Sequence, residues 1–212
     1  MADNANTTPT PSRPPFRLAV LLSGSGTTLE NLYGEIAAGR LHAKIEVVLS
    51  SAPAAYGLQR AAQRNTPAVT VDRTRFKNWR DHAAAVWATL QPFEFDGVVL
   101  AGYICRLTVP PAWRGKILNV HPALLPKFGG KGMYGHHVHE AVLAAGERES
   151  GCTVHVVDDE YDHGPPLAQA RVPIQPGDTA DTLAARVQAA ERALYPRVIQ
   201  DYFGKAAGRP VQ

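Results

Sequence analysis

The sequence has few of the features that mark secreted, membrane-spanning or disulfide-bonded proteins. Only two of its 212 residues are cysteine, too few for the disulfide framework of a small secreted domain. No apolar run approaches the ~20 residues that cross a bilayer. Residues 1–15 have no apolar core of the kind that a secretory signal contains. We therefore expect a cytoplasmic protein without a membrane partner.

An excess of either charge is also missing. The 22 Lys and Arg residues nearly balance the 19 Asp and Glu residues, which gives a net charge of +3, and no basic run stands out. Nucleic-acid-binding domains usually carry a basic patch or stripe, so we expect no nucleic-acid partner. Residues 1–15, rich in Asn, Thr, Pro and Ala, are predicted to be a disordered N-terminal tail.

What the sequence does contain is a regular alternation of apolar runs and amphipathic segments. Runs such as FRLAVLLS at 16–23 are typical of strands buried on both faces. Alternation with helices predicts βαβ units, and therefore an α/β domain with a mainly parallel sheet flanked by helices. We predict strands at 16–23, 44–50, 68–71, 97–101, 117–121, 151–157 and 167–172. We predict helices at 28–38, 56–65, 78–90, 136–145 and 178–203. Ligands of such sheets bind beyond the carboxyl ends of the strands.

A glycine-rich turn follows the first predicted strand. The stretch SGSGTT at 23–28 leads into a helix, and free N–H groups at a helix N-terminus bind anions. The P-loop and dinucleotide patterns both fail here, which leaves a site for a single phosphate. The alternative is a plain strand-to-helix turn with a threonine cap.

Two polar residues end the predicted strand at 117–121. Asn119 and His121 are two residues apart, so they share one face of the strand. An amide beside an imidazole can polarise a carbonyl oxygen and shuttle a proton. The alternative is a hydrogen-bonded pair with a structural role only.

Acidic residues appear at two further places. Four of them follow the strand at 151–157, within DDEYDHGP at 158–165, and a carboxylate there would orient His121 and favour its imidazolium form. The residues alone do not say which acid does so, and a solvated turn is the alternative. In the last helix, Glu191 falls in the apolar row with Gln188 nearby, which indicates a polar ligand or a salt bridge. Pro196 is expected to kink or end that helix.

Metal and covalent catalysis receive little support. Six of the eight histidines lie between His121 and His163, but their spacing fits no standard zinc site, so we expect no metal. Cys152 lies within an apolar strand, where thiols are usually inert.

Together these stretches resemble the phosphoribosylglycinamide formyltransferases, also called glycinamide ribonucleotide transformylases. The resemblance spans roughly residues 17–202. It is most specific in ILNVHPALLP at 117–126, then in 151–165, RVQAAERALYP at 186–196 and VLLSGSGTTLE at 20–30. It implies a single Rossmann-like domain at 16–204, followed by a short tail at 205–212, in a protein that is a monomer or a homodimer.

The resemblance also implies roles for individual residues. The positions matching the family's catalytic trio are Asn119, His121 and Asp162. The positions matching its substrate-binding residues are Gly26, Thr27 and Thr28 at the phosphate and Gln188 and Glu191 near the ribose. The positions matching its folate-binding residues are Ile104, Cys105, Arg106, Leu107, Asn119 and Val157. One departure is Thr27-Thr28, where the family usually has Ser-Asn, and another is a longer loop at 127–137, a candidate lid.

The implied reaction is direct transfer of a formyl group from 10-formyltetrahydrofolate to the amine of glycinamide ribonucleotide, with both small molecules as partners. Asn119 and protonated His121 would stabilise the oxyanion, and Asp162 would keep His121 charged. Formyltetrahydrofolate hydrolases and formyltransferases for other amines are the closest alternatives. Those sister enzymes usually carry a further N-terminal or C-terminal domain, and the predicted tails are too short to form one. A non-catalytic binding protein on the same fold is the other alternative.

Overall fold

The computed structural model describes residues 14–206 of the chain. Its strands are β1 (Phe16–Leu22), β2 (Ala43–Ser50), β3 (Ala68–Thr70), β4 (Gly97–Leu100), β5 (Ile117–His121), β6 (Glu149–Val156) and β7 (Pro166–Pro173). Its helices are α1 (Thr27–Ala37), α2 (Tyr56–Gln63), α3 (Trp79–Leu90), α4 (His136–Ala144) and α5 (Ala180–Ala206). The predicted α/β fold is confirmed, and every predicted strand and helix is present with its ends shifted by a few residues.

The predicted tails are described only in part. Residues 1–13 and 207–212 lie outside the described residues, and α5 reaches Ala206, inside the tail expected from 205. Two short 3-10 turns, Arg73–Arg75 and Pro111–Trp113, were not predicted, because three residues are too few to show a hydrophobic period. No helix within residues 14–206 is long and apolar enough to cross a membrane.

The seven strands form one sheet in the order β3-β2-β1-β4-β5-β6-β7. Strands β1 to β5 run parallel to one another, whereas β6 is antiparallel to both β5 and β7. The order reverses at β1, whose two neighbours are β2 and β4. In open α/β sheets the crevice beyond such a reversal is the usual ligand site.

Two apolar layers cover the sheet, one on each face. Strand β1 shows why its sequence is continuously apolar: Leu18, Val20 and Leu22 belong to a core cluster that includes residues of α1 and α5. Ala19 and Leu21 point to the other face and belong to a cluster with α3. Because both faces are covered, Arg17 at the start of β1 is the one charged or polar side chain within β1 and β4, and the others lie in the loops at the strand ends.

Of the two effects expected of Pro196, a kink or an early end of the last helix, the early end does not occur, since α5 continues through Pro196 to Ala206. A proline in a helix leaves the carbonyl four residues earlier without its usual N–H donor. That carbonyl belongs to Arg192, and the side-chain amide of Asn31 on α1 donates to it at 3.0 Å. The bond from α1 therefore replaces the missing helical bond and ties α1 to α5.

Candidate active site

A cavity of about 680 Å³ opens at the carboxyl ends of β1, β4 and β5. Its wall contains all but one of the site residues expected from the sequence, namely Thr27, Thr28, Ile104, Cys105, Arg106, Leu107, Asn119, His121, Val157, Asp162, Gln188 and Glu191. The exception is Gly26, whose Cα packs against Gly57 of α2. Residues predicted from five separate segments therefore meet in one place.

Four polar side chains form a cluster on one wall of the cavity. The antiparallel register of β5 and β6 places Asn119 opposite His155, and the Asn119 amide nitrogen lies 3.1 Å from His155 Nε2. Asp162 lies between the two histidines, with one oxygen 3.4 Å from His121 Nδ1 and the other 3.6 Å from His155 Nε2. The second N–H of Asn119 is held only loosely, at 3.5 Å from Asp162, and is therefore available to a substrate oxygen.

Among the four acids of the loop after β6, Asp162 is the one that reaches His121. Asp158 pairs with His163 at 2.8 Å, and Asp159 accepts from the backbone N–H of Val109. Asp162 itself has a φ of +53°, a conformation that Asp and Asn tolerate better than most residues. The backbone N–H of Gly130 donates to it at 3.0 Å, so the glycine-rich loop after β5 fixes one of its oxygens.

Two opposing effects act on the protonation of His121. Burial lowers the pKa of His121, and the nearby Asp162 carboxylate offsets this only in part. The lowered pKa favours the neutral ring over the imidazolium. Its Nε2 lies 2.7 Å from the carbonyl oxygen of Phe128, which can only accept, so Nε2 carries a proton. In the neutral ring the lone pair is then on Nδ1, which lies 3.4 Å from Asp162.

Asp162 remains ionised in this cluster. Burial would raise the pKa of Asp162, but the hydrogen bond with His155, the ring of His121 and the N–H of Gly130 together lower it. An ionised carboxylate beside a neutral imidazole stabilises the imidazolium that forms when the ring accepts a proton. The pair is therefore suited to general base catalysis at Nδ1 of His121.

Sequence reasoning missed His155. The available signal was a single polar residue two positions before the end of an apolar strand, at the same kind of place that identified Asn119. The residue types alone did not show that β6 pairs with β5, which is what brings His155 to Asn119.

The loop between β1 and α1 forms the opposite end of the cavity. Gly26 has a φ of +70° and precedes the first turn of α1, and its carbonyl accepts from Glu30 at 2.9 Å. The N–H groups of residues 25–28 donate to no acceptor within the described part of the chain. Because exposed N–H groups at a helix N-terminus attract anions, this loop is the candidate phosphate site. We call residues 23–28 the phosphate loop.

Glu191 connects the phosphate loop to α5. Its carboxylate accepts a hydrogen bond from the Thr28 hydroxyl at 3.1 Å, and burial raises its pKa to about 7. No ion pair of Glu191 occurs among the described residues, so the salt-bridge alternative is wrong. A carboxylate that loses solvation without gaining a cation is suited to hydroxyl groups of a ligand.

The raised pKa of Glu191 gives a stability prediction. An acid whose pKa is higher in the folded state costs stability as pH rises from its ordinary pKa towards the folded value. Glu191→Gln removes this cost, so we expect the gain in unfolding free energy to be about 2 kcal/mol larger at pH 8 than at pH 5.5. Urea unfolding at both pH values measures it, with exposed Glu160→Gln as the control. Equal gains at the two pH values would show that Glu191 ionises without cost.

The remaining wall, near β4, is formed by the expected folate-binding segment. Ile104 is 40% exposed, and Arg106 lies over the Trp79 ring at 4.3 Å while donating to the Asp159 carbonyl. Burial raises the pKa of the Cys105 thiol, which disfavours a thiolate nucleophile. The wall is thus an apolar surface beside a fixed cation, suitable for a flat aromatic ligand with acidic groups.

The histidines do not converge on one point. His136 and His137 are exposed and pair with Asp181 and Glu140, whereas His139 is buried. Within residues 14–206, no group of three or more His, Cys, Asp or Glu side chains could hold a metal ion.

Comparisons with known proteins identify relatives over nearly the whole described chain. The family model described as formyl transferase matches residues 16–199. The phosphoribosylglycinamide formyltransferase of Haemophilus influenzae is 40% identical over 186 residues, covering 87% of this chain and 85% of that protein. The trifunctional purine biosynthetic protein adenosine-3 of Drosophila melanogaster is 39% identical over 187 residues. This chain spans only 14% of the length of that relative and 60% of the chloroplastic enzyme of Vigna unguiculata.

Solved structures show the same fold. Glycinamide ribonucleotide transformylase 1 of Symbiobacterium toebii superposes with a TM-score of 0.82 at 34% identity, covering 93% of this chain and 91% of that one. The phosphoribosylglycinamide formyltransferase of Brucella melitensis has a TM-score of 0.79 at 38% identity, with 93% and 98% covered.

Proposed function

The chain belongs to the formyl transferase family, and on that premise we propose that it transfers the formyl group of 10-formyltetrahydrofolate to the amine of glycinamide ribonucleotide, a step of purine synthesis. The observation that carries the proposal is a single cavity that has an anion-binding loop at one end and the Asn119–His121–Asp162 cluster in its wall. Relatives named for this reaction at up to 40% identity support the choice of substrate.

The ribonucleotide lies between the phosphate loop and the cluster. Its phosphate accepts from the N–H groups of Gly26, Thr27 and Thr28, and its ribose hydroxyls bind Gln188 and Glu191. The folate occupies the wall formed by residues 104–107 and Val157. Both reactants are thereby held with the amine facing the formyl carbon, and this alignment supplies a large part of the acceleration.

The chemistry uses the neutral ring of His121. The amine attacks the formyl carbon, His121 Nδ1 accepts a proton from the attacking nitrogen, and Asn119 donates to the oxyanion that develops. Asp162 stabilises the imidazolium. When the tetrahedral intermediate collapses, the bond from carbon to N10 of the folate breaks and His121 returns the proton to that nitrogen. The products are the formylated ribonucleotide and tetrahydrofolate.

We further propose that the enzyme acts in the cytoplasm, as a monomer or a homodimer. Neither nucleic acid nor a metal ion takes part in the proposed reaction.

The first experiment follows consumption of 10-formyltetrahydrofolate by absorbance, with and without glycinamide ribonucleotide. We expect consumption that depends on the ribonucleotide, with one formylated product per folate consumed. Consumption without the ribonucleotide would instead identify a hydrolase. No consumption under either condition would contradict the proposal and leave another formyl acceptor or a binding protein.

A further inference from the structure

Three successive backbone carbonyl groups in the phosphate loop each accept a hydrogen bond from elsewhere in the protein. The carbonyl of Gly24 accepts from the backbone N–H of Gly57 at 3.1 Å. The carbonyl of Ser25 accepts from Nε of Arg60 at 3.0 Å. The carbonyl of Gly26 accepts from the N–H of Glu30 at 2.9 Å. Two of the three donors belong to α2, which contributes no residue to the cavity wall.

These bonds determine where the loop's N–H groups point. In a trans peptide unit the C=O and the following N–H are antiparallel. Fixing the Ser25 carbonyl on Arg60 therefore turns the N–H of Gly26 the opposite way, and the Gly24 carbonyl does the same for the N–H of Ser25. Successive N–H groups that point to one side form an anion-binding concavity.

Close packing keeps the loop on α2. A side chain at Gly26 would place its Cβ 2.6 Å from the Cα of Gly57, and one at Gly57 would meet Leu22 at 2.4 Å. Both positions therefore require glycine, and the loop rests directly on the first turn of α2. Arg60 lies one turn further along that helix, where its side chain is only 24% exposed and its guanidinium also bonds Glu30 at 3.2 Å.

We propose that Arg60 is a positioning residue for the phosphate of the ribonucleotide: it aims the N–H of Gly26 at the anion by holding the Ser25 carbonyl. Glu30 balances the charge of Arg60, so Arg60 acts on phosphate binding through the conformation of the phosphate loop. This inference rests on the proposed function for the identity of the ribonucleotide, but not for the presence of a phosphate site.

Arg64 provides a matched control. It is also an arginine of the same helical region, it pairs with the same Glu30 at 2.6 Å, and it makes no bond to the loop. Arg60→Met and Arg64→Met therefore remove the same charge from the same carboxylate, and only the first releases the Ser25 carbonyl.

We expect Arg60→Met to raise KM for glycinamide ribonucleotide about tenfold, the size expected for one hydrogen bond to a charged group. We expect kcat and KM for the folate to stay within about twofold, because His121 and the folate wall are unchanged. Arg64→Met should leave all three constants near those of the parent protein. Equal KM values for the two variants would overturn the proposal, as would a loss confined to kcat.

A binding measurement separates this proposal from the proposed function. Titration with ribose 5-phosphate, followed by NMR, should show about tenfold weaker binding for Arg60→Met than for Arg64→Met, whichever amine is the true acceptor. Equal affinity for both variants would contradict the role of Arg60 even if transfer is observed. Should thermal melting show that Arg60→Met is unfolded, Arg60→Lys is the second variant. It retains the charge without Nε, and we expect a smaller rise in the same KM.

Discussion

Replacing His121 with alanine is expected to lower kcat by about 10³-fold, while KM for the ribonucleotide stays within about threefold. His121 lines the cavity, and because its Nε2 is engaged by Phe128, Nδ1 beside Asp162 is the nitrogen assigned to accept the proton. Without it the attacking amine has no base, and N10 of the folate has no acid. The phosphate loop at the other end of the cavity is untouched, so binding persists. Single-turnover transfer and equilibrium binding of the ribonucleotide measure the two quantities.

His163→Ala is the matched control for this substitution. His163 belongs to the loop after β6 that also carries Asp162, pairs with Asp158 and lies outside the cavity wall, so its loss should change kcat by less than about twofold. If His121→Ala retained a tenth or more of the parent kcat, His121 would not be the base. A fall in ribonucleotide binding that matched the fall in kcat would instead make it a binding residue.

Replacing Asp162 with asparagine is expected to lower kcat by about 10²-fold. Asparagine is the appropriate substitution because it tolerates the positive φ of this position, where alanine would add strain. The charge of Asp162 raises the pKa of His121, so its removal lowers that pKa further. The imidazolium formed during transfer is then less stable, and the rate falls at every pH.

The pH dependence distinguishes this role from a structural one. In the parent protein kcat should fall as pH decreases through the lowered pKa of His121, where the base becomes protonated. In Asp162→Asn this decrease should occur at a lower pH, although the plateau is smaller. Asp158→Asn, which removes a carboxylate that does not reach His121, should leave both the plateau and the decrease unchanged. A decrease at the same or higher pH in Asp162→Asn would contradict the assigned interaction.

Much of the fold could be predicted because its signals are local. The apolar run at 16–22 is long enough to indicate a strand covered on both faces, and the turn at 23–26 ends it with glycine. Asn119 and the phosphate loop were then identified as candidate site residues because they lie at the ends of predicted strands. The family resemblance, rather than the residue pattern, selected Asp162 from four nearby acids.

What could not be predicted depends on contacts between distant segments. His155 reaches Asn119 only through the register of β5 and β6, and Arg60 reaches Ser25 across 35 positions of the chain. The lowered pKa of His121 arises from burial, whereas the sequence suggested only the opposing effect of a carboxylate. The course of α5 through Pro196 likewise required a donor from α1.

The bond between Asn31 and the carbonyl freed by Pro196 has a consequence for ligand selection. It joins the helix that begins at the phosphate loop to the helix that carries Glu191, and the contact between Thr28 and Glu191 closes the same unit. These two bonds fix the spacing between the proposed phosphate position and the proposed ribose position near Glu191. We therefore expect a ligand with a longer link between its phosphate and its ribose to bind more weakly than the ribonucleotide.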